Sequence, residues 1–182
     1  MYLDSQSSID SYYSLAQQGQ VFSAMSSVTA VVAYSTASAL TGPLLWNGTG
    51  STGNTSRVMA VLLGVSIGWT TTGATGVMGV ATGIGQTSAP SSTTAITVAG
   101  NTLANGKAPV CNVYNVGTVS NAGTTFVGTH SISTAGTAAV GCFVPLDGLI
   151  QVPPGCWAAV CGAAAIASVL YKASLVWAEI PY

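Results

Sequence analysis

The stretch from Arg57 to Thr70 restricts this chain more than any other. Met59, Val61, Leu63, Val65, Ile67 and Trp69 are large and share one parity; Val58, Ala60, Leu62, Gly64, Ser66 and Gly68 share the other and shrink along the segment. A period of two sustained over this length is a β-strand, with the large residues predicted on the core face. The second face of a half-buried antiparallel strand ordinarily carries charged or long polar groups. Here it is small, which permits another sheet, helix or subunit to approach closely. Ala60, Gly64, Ser66 and Gly68 are therefore candidate interface residues.

The same texture runs from Gln20 onward. Strands are expected within Val21–Tyr34, at Leu44–Trp46 after a break at Thr41-Gly42-Pro43, and at Ala95–Val98, Val110–Val119, Thr124–Ile132, Ala138–Val144, Leu149–Val152, Trp157–Cys161 and Val169–Ile180. Turn signals at Asn105-Gly106, Asn121-Ala122-Gly123, Asp147-Gly148 and Pro153-Pro154-Gly155 separate the later ones. Thr70–Gln86, with five glycines, reads as a bulged strand or a glycine-rich loop, and Thr87–Thr94 as a surface loop. Many short strands without helices between them predict an all-β fold, a jelly-roll-like antiparallel β-sandwich over 21–182. An immunoglobulin-like sandwich is second, since the chain is long for it and has no fitting Cys…Trp…Cys spacing.

The N-terminal segment differs. Asp4–Gln18 contains no Gly or Pro, and Ile9, Tyr12, Tyr13 and Ala16 fall on one helical stripe. Residues 1–20 are expected to form a short helical arm ended by Gly19, whose stripe packs on its own domain or docks on a neighbouring subunit.

Charge narrows the function. Only seven residues of 182 are charged, 4% of the chain (Asp4, Asp10, Arg57, Lys107, Asp147, Lys172 and Glu179), against about a quarter in ordinary soluble domains. A surface of Ser, Thr, Gly, Ala and Asn is cheap to desolvate, which points to a chain packed against other protein. Three scattered basic residues give no nucleic-acid footprint. The longest weakly polar run, Trp157–Leu170, is too short and too Ala-rich for a membrane helix; a membrane β-barrel, whose signal per strand is weak, stays as a third and minor reading that the few scattered aromatics disfavour. MYLDSQSSID has neither the basic nor the apolar region of a secretory signal. Cys111, Cys142, Cys156 and Cys161 lack metal-ligand spacing and read as buried thiols.

Chemistry-bearing motifs are sparse. His130 is the single histidine and has no nucleophile elbow beside it. The four carboxylates carry no spacing that pairs them for acid–base work, and the glycine run lacks the Gly-Lys-Ser/Thr of a phosphate loop. No enzyme, cofactor or metal is expected. Arg57, Lys172 and Glu179 are candidates for inter-subunit ion pairs that set register. Asn47-Gly48-Thr49 and Asn54-Thr55-Ser56 match the glycosylation sequon, at a frequency expected of a Ser/Thr-rich chain.

Pro153-Pro154-Gly155 before an apolar strand, the closing Leu175-Val176-Trp177-Ala178-Glu179-Ile180-Pro181, and the Gly42-Pro43-Leu44-Leu45-Trp46-Asn47 segment resemble, in style, small β-sandwich proteins of virions. Phage capsid decoration (cement) proteins and single jelly-roll capsid proteins look like this. The resemblance implies a β-sandwich, often trimeric, that binds a capsid lattice on the virion surface. Decoration is the first reading and a shell-forming capsid protein the second. A fibre-tip or lectin-like glycan-binding module is the alternative, with Trp46 and Asn47 as its candidate residues.

Overall fold

Frequent Gly and Pro cut the β-prone chain into short strands, and the computed structural model describes them over residues 12–35, 39–48, 56–70, 74–86, 88–100, 108–132 and 141–181. A helix, α1, covers 12–17. The strands are β1 (Val21–Met25), β2 (Thr29–Val31), β3 (Ala39–Trp46), β4 (Val58–Trp69), β5 (Gly76–Gly83), β6 (Ser91–Ala95), β7 (Ala99–Gly100), β8 (Asn112–Thr118), β9 (Thr125–Ile132), β10 (Gly141–Val152), β11 (Trp157–Gly162) and β12 (Ile166–Pro181). Two antiparallel sheets result. The first runs β10-β4-β12-β1-β7 with β2 also on β12; the second runs β6-β8-β3-β11-β5-β9.

Set aside β2, β6, β7 and β8, and eight strands remain. The first pairs with the eighth (β1 with β12), the second with the seventh (β3 with β11), the third with the sixth (β4 with β10) and the fourth with the fifth (β5 with β9). This is one long antiparallel hairpin rolled on itself, and β12 on β4 and β11 on β5 close the roll. The fold is an all-β jelly roll. β6–β8 form an insertion between the fourth and fifth strands that widens both sheets.

β4 corrects the parity expected of it. Against β12, Val176 pairs with Gly64 and the next residue, Trp177, pairs with Leu62, so Leu63 is an extra residue. This β-bulge reverses which side chains point inward. Val65, Ile67 and Trp69 face the core as expected, but before the bulge Ala60 and Leu62 are buried while Met59, Val61 and Leu63 lie half-exposed outside. Ala60 is a core residue, fully buried, and leaves the interface set.

Other boundaries also moved. The break at Gly42-Pro43 lies inside β3 as a register shift, with Gly42 at φ +105°. A Cβ there would overlap the Tyr171 hydroxyl, which lies 2.8 Å from both the Thr41 and Val160 carbonyl oxygens. The two strands expected around Asp147-Gly148 are one strand, β10, with Leu146–Leu149 set against Leu63 alone. Asp147 (φ 45°) and Gly148 (φ 78°) take the two positive-φ places of a type I′ turn. Part of the expected loop 87–94 belongs to the exposed strand β6, and the expected strand at 95–98 retains only Ala95 in a strand.

Between the sheets, Phe22, Leu45, Leu62, Val65, Ile67, Met78, Val80, Val160, Tyr171, Leu175 and Trp177 form the main core. Trp69 stacks on His130 across it, ring centroids 6.0 Å apart. The second sheet is buried on its outer side as well: Leu40, Leu44, Trp46, Ala81, Val119, Trp157 and Ala159 make a smaller core there. Tyr34 and Phe126, stacked at 4.9 Å, cover part of it.

Burial pushes the Cys161 thiol from 9.0 up to about 12, against a smaller lowering by an Ala81 backbone hydrogen bond. The Cys111 thiol and Tyr171 phenol are raised further, burial again leading. Between pH 9 and about 12 the unfolded Cys161 thiol loses its proton and the folded one keeps it, so stability falls as pH rises. Raising the pH from 9 to 10.5 is expected to cost about 2 kcal/mol at this thiol alone, read from urea midpoints. An unchanged midpoint would contradict the buried, protonated thiols.

Gly79 has its place because a Cβ there would overlap the Val127 carbonyl oxygen, whereas one on Gly68 meets nothing closer than the Lys172 carbonyl at 4.0 Å. Gly79→Ala is expected to destabilise by about 1–3 kcal/mol and Gly68→Ala to stay within about 0.5 kcal/mol of wild type, both by urea denaturation.

Candidate functional site

The outer face of the first sheet carries most of the residues singled out from sequence. Strand register arranges its side chains in rows. Gly141, Gly68 and Lys172 form the first row; Phe143, Ser66, Ser174 and Met25 the second; Pro145, Gly64, Val176 and Ser23 the third; Gln151, Val61, Ala178 and Val21 the fourth. Gly64, Ser66 and Gly68 thus lie along the middle of one face, as the sequence pattern required.

The fourth row is covered. Val21 and Ala178 are buried although they point away from the other sheet. α1 is followed by a turn at Gly19 (φ 71°) and leads directly into β1. At its start, burial and then the nearby Asp147 carboxylate raise the Tyr12 phenol above its ordinary value. Tyr12 and Ala16 are half-buried, and Tyr13 points to water, 63% exposed. Ile9 lies outside the described residues.

Rows one to three are open and uneven. Phe143 (62% exposed) and Met25 (61%) stand at the two sides of the second row. Between them Ser66 and Ser174 share a hydrogen bond, Oγ to Oγ 2.6 Å. Gly64 is the exception to the open floor: the Phe143 ring lies over it, where a Cβ would stand. Lys172, exposed, is the one charged residue of these rows, and Asp147 lies at the edge of the third in the β10 turn beside Leu149, 73% exposed. Sequence alone did not single out Met25, Phe143 or Leu149, because both parities of their strands are apolar or small and period-two reasoning cannot choose between faces.

Trp46 and Asn47 are fully buried and offer no sugar platform. Trp46 packs in the smaller core and donates its Nε1–H to the Gln86 carbonyl (3.1 Å). Asn47 ties four segments together. Its Nδ2 donates to the Val58 and Val152 carbonyls (2.8 and 2.7 Å), its Oδ1 accepts from Ser56 Oγ (2.5 Å), and its backbone exchanges hydrogen bonds with Gly155 and Cys156. Its sequon amide is therefore engaged in the fold; Asn54 of the other sequon is outside the described residues.

Glu179 is also corrected. It is buried, and its carboxylate accepts from the backbone N–H groups of Val110 (2.8 Å) and Cys111 (2.9 Å) and from Trp177 Nε1 (3.2 Å). It anchors the insertion to β12 and is not presented to a neighbouring subunit. Arg57 and Lys172 are exposed. Among the described residues, no group of three His, Cys, Asp or Glu stands close enough to hold a metal ion, and no helix is long and apolar enough to cross a membrane, which says nothing of strands. Compared with protein-family models, curated proteins and solved structures, the chain matches none.

Asn47→Ala removes two donors and leaves the Val58 and Val152 carbonyls without them. The expected loss is about 2–4 kcal/mol, measured by urea unfolding; a loss below about 1 kcal/mol would show that the corner does not depend on this side chain.

Proposed function

We propose that this chain is a virion structural protein, a decoration or cement component that stabilises a capsid shell by packing against it and against its own copies. The observation that carries the reading is a jelly-roll strand order combined with a surface almost free of charge. Jelly rolls serve as capsid and lectin domains and as cupins. Capsid packing is the use that a low-charge face of small and apolar residues suits best, because contact then strips few ionised groups of water. Apolar area buried over a large contact supplies the stabilisation, at about 25 cal/mol per Å² before association costs.

The lectin-like alternative loses its candidate residues, since Trp46 and Asn47 are inside. The scarcity of Lys and Arg argues against a role lining packaged nucleic acid. This favours decoration over shell formation.

Light scattering on a sizing column without detergent tests the reading. A discrete small oligomer, the trimer of the resemblance or another closed form, is expected. Shell-sized particles would move the role to the major capsid protein. A monomer would remove the self-association, and material soluble only in detergent would replace the reading with a membrane barrel.

A further inference from the structure

We propose that the open part of the first sheet's outer face, the three rows through Gly68, Ser66 and Gly64, is where a second copy of this chain packs, with Asp147 of one copy against Lys172 of the other. The inference rests on the reading of the chain as self-associating and names the surface that does it.

Four observations support it. The chain buries all four tryptophans yet leaves Phe143, Met25 and Leu149 each more than 60% exposed on this side. Phe143 and Met25 share a register row with Ser66 and Ser174, Gly68 lies in the next row, and Leu149 stands in the β10 turn beyond Pro145. Large exposed apolar residues around small ones form a surface with both knobs and a trough, which can fit a copy of itself.

The charges then choose the occupant. This area has one base, Lys172, and one acid at its margin, Asp147. They are separated by two strands and by about five residues along the strand, roughly 20 Å, too far to pair within one chain. Among the described residues Lys172 makes no ion pair. A surface with one charge of each sign at opposite ends is complementary to itself: a second copy answers both charges, whereas a strongly acidic or basic partner would leave one opposed by a like charge.

Finally, the neighbouring routes are closed. The fourth row is already buried at Val21 and Ala178. β10 is the edge of the sheet on this side, but Pro145 has no N–H to offer and the Leu146–Leu149 turn interrupts the strand, two devices that block strand addition. At this side of the sheet the contact is therefore by face and not by the β10 edge.

The experiment compares native mass and dissociation constant, by sedimentation and light scattering, for wild type, Lys172→Asp, Asp147→Lys, the doubly exchanged Asp147→Lys/Lys172→Asp, and Phe143→Ser, with circular dichroism confirming folding. Wild type is expected to associate. Each single variant is expected to weaken association about 30-fold or more, and the double exchange to restore it, a recovery that mere misfolding cannot give. Single variants that associate like wild type would overturn this face while leaving the preceding reading in place. Weakened singles without recovery in the exchange would overturn the Asp147–Lys172 pairing. A wild type that stays monomeric at the highest concentrations reached would overturn both.

Discussion

Everything in this structure hangs on the nested pairing of strands distant in sequence. β12 is the central member of that arrangement: it pairs with β4 over Tyr171–Pro181 and with β1 over Ser174–Ala178, and holds β2 as well. Its Leu175 and Trp177 fill the core, its Glu179 receives the insertion, and its Lys172 and Ser174 belong to the open face. Each property follows from alternation along one strand: a residue that faces the core fixes its neighbour on the outside. The β4 bulge at Leu63 is the one place where the alternation of the adjoining strand changes phase, and it decides which part of β4 faces outward.

With so few charges, the protein ties buried polar side chains to backbone groups, by neutral hydrogen bonds at Asn47 and Gln86 and by charge-assisted ones at the Glu179 carboxylate. Asn47, Gln86 and Glu179 each bind backbone groups of segments remote in sequence. Such bonds hold loops to the sheets without needing a counter-ion, and they require a defined backbone position at the other end. An asparagine that reads as a sequon or a sugar ligand in one dimension can therefore be a corner brace in three.

The all-β class, the helical start and most of the later strands were legible because period-two patterns and Gly/Pro punctuation are local signals. β8, β9, β11 and β12 lie close to their expected spans. The small outer face of β4 was legible too, at Gly64, Ser66 and Gly68. What misled was long-range. The Leu63 bulge answers the Leu146–Leu149 turn on β10, a relation between residues far apart in the chain, so Ala60 was set on the wrong side. Glu179 looked available because a strand's polar residue normally faces water; two backbone N–H groups of the insertion and the Trp177 indole make its burial tolerable. Phe143 and Met25 could not be placed, since apolar residues occupy both sides of their strands.

The nested order also governs how the chain must be made. β1 and β4 emerge from the ribosome early, yet the strand that lies between them is β12. Until it arrives, each presents an unpaired, largely apolar edge, and no local hairpin can take its place. Synthesis therefore passes through a long interval in which the first sheet is split, and docking of β12 joins the halves in one late step. This timing keeps the finished outer face of the first sheet from existing before the body that bears it.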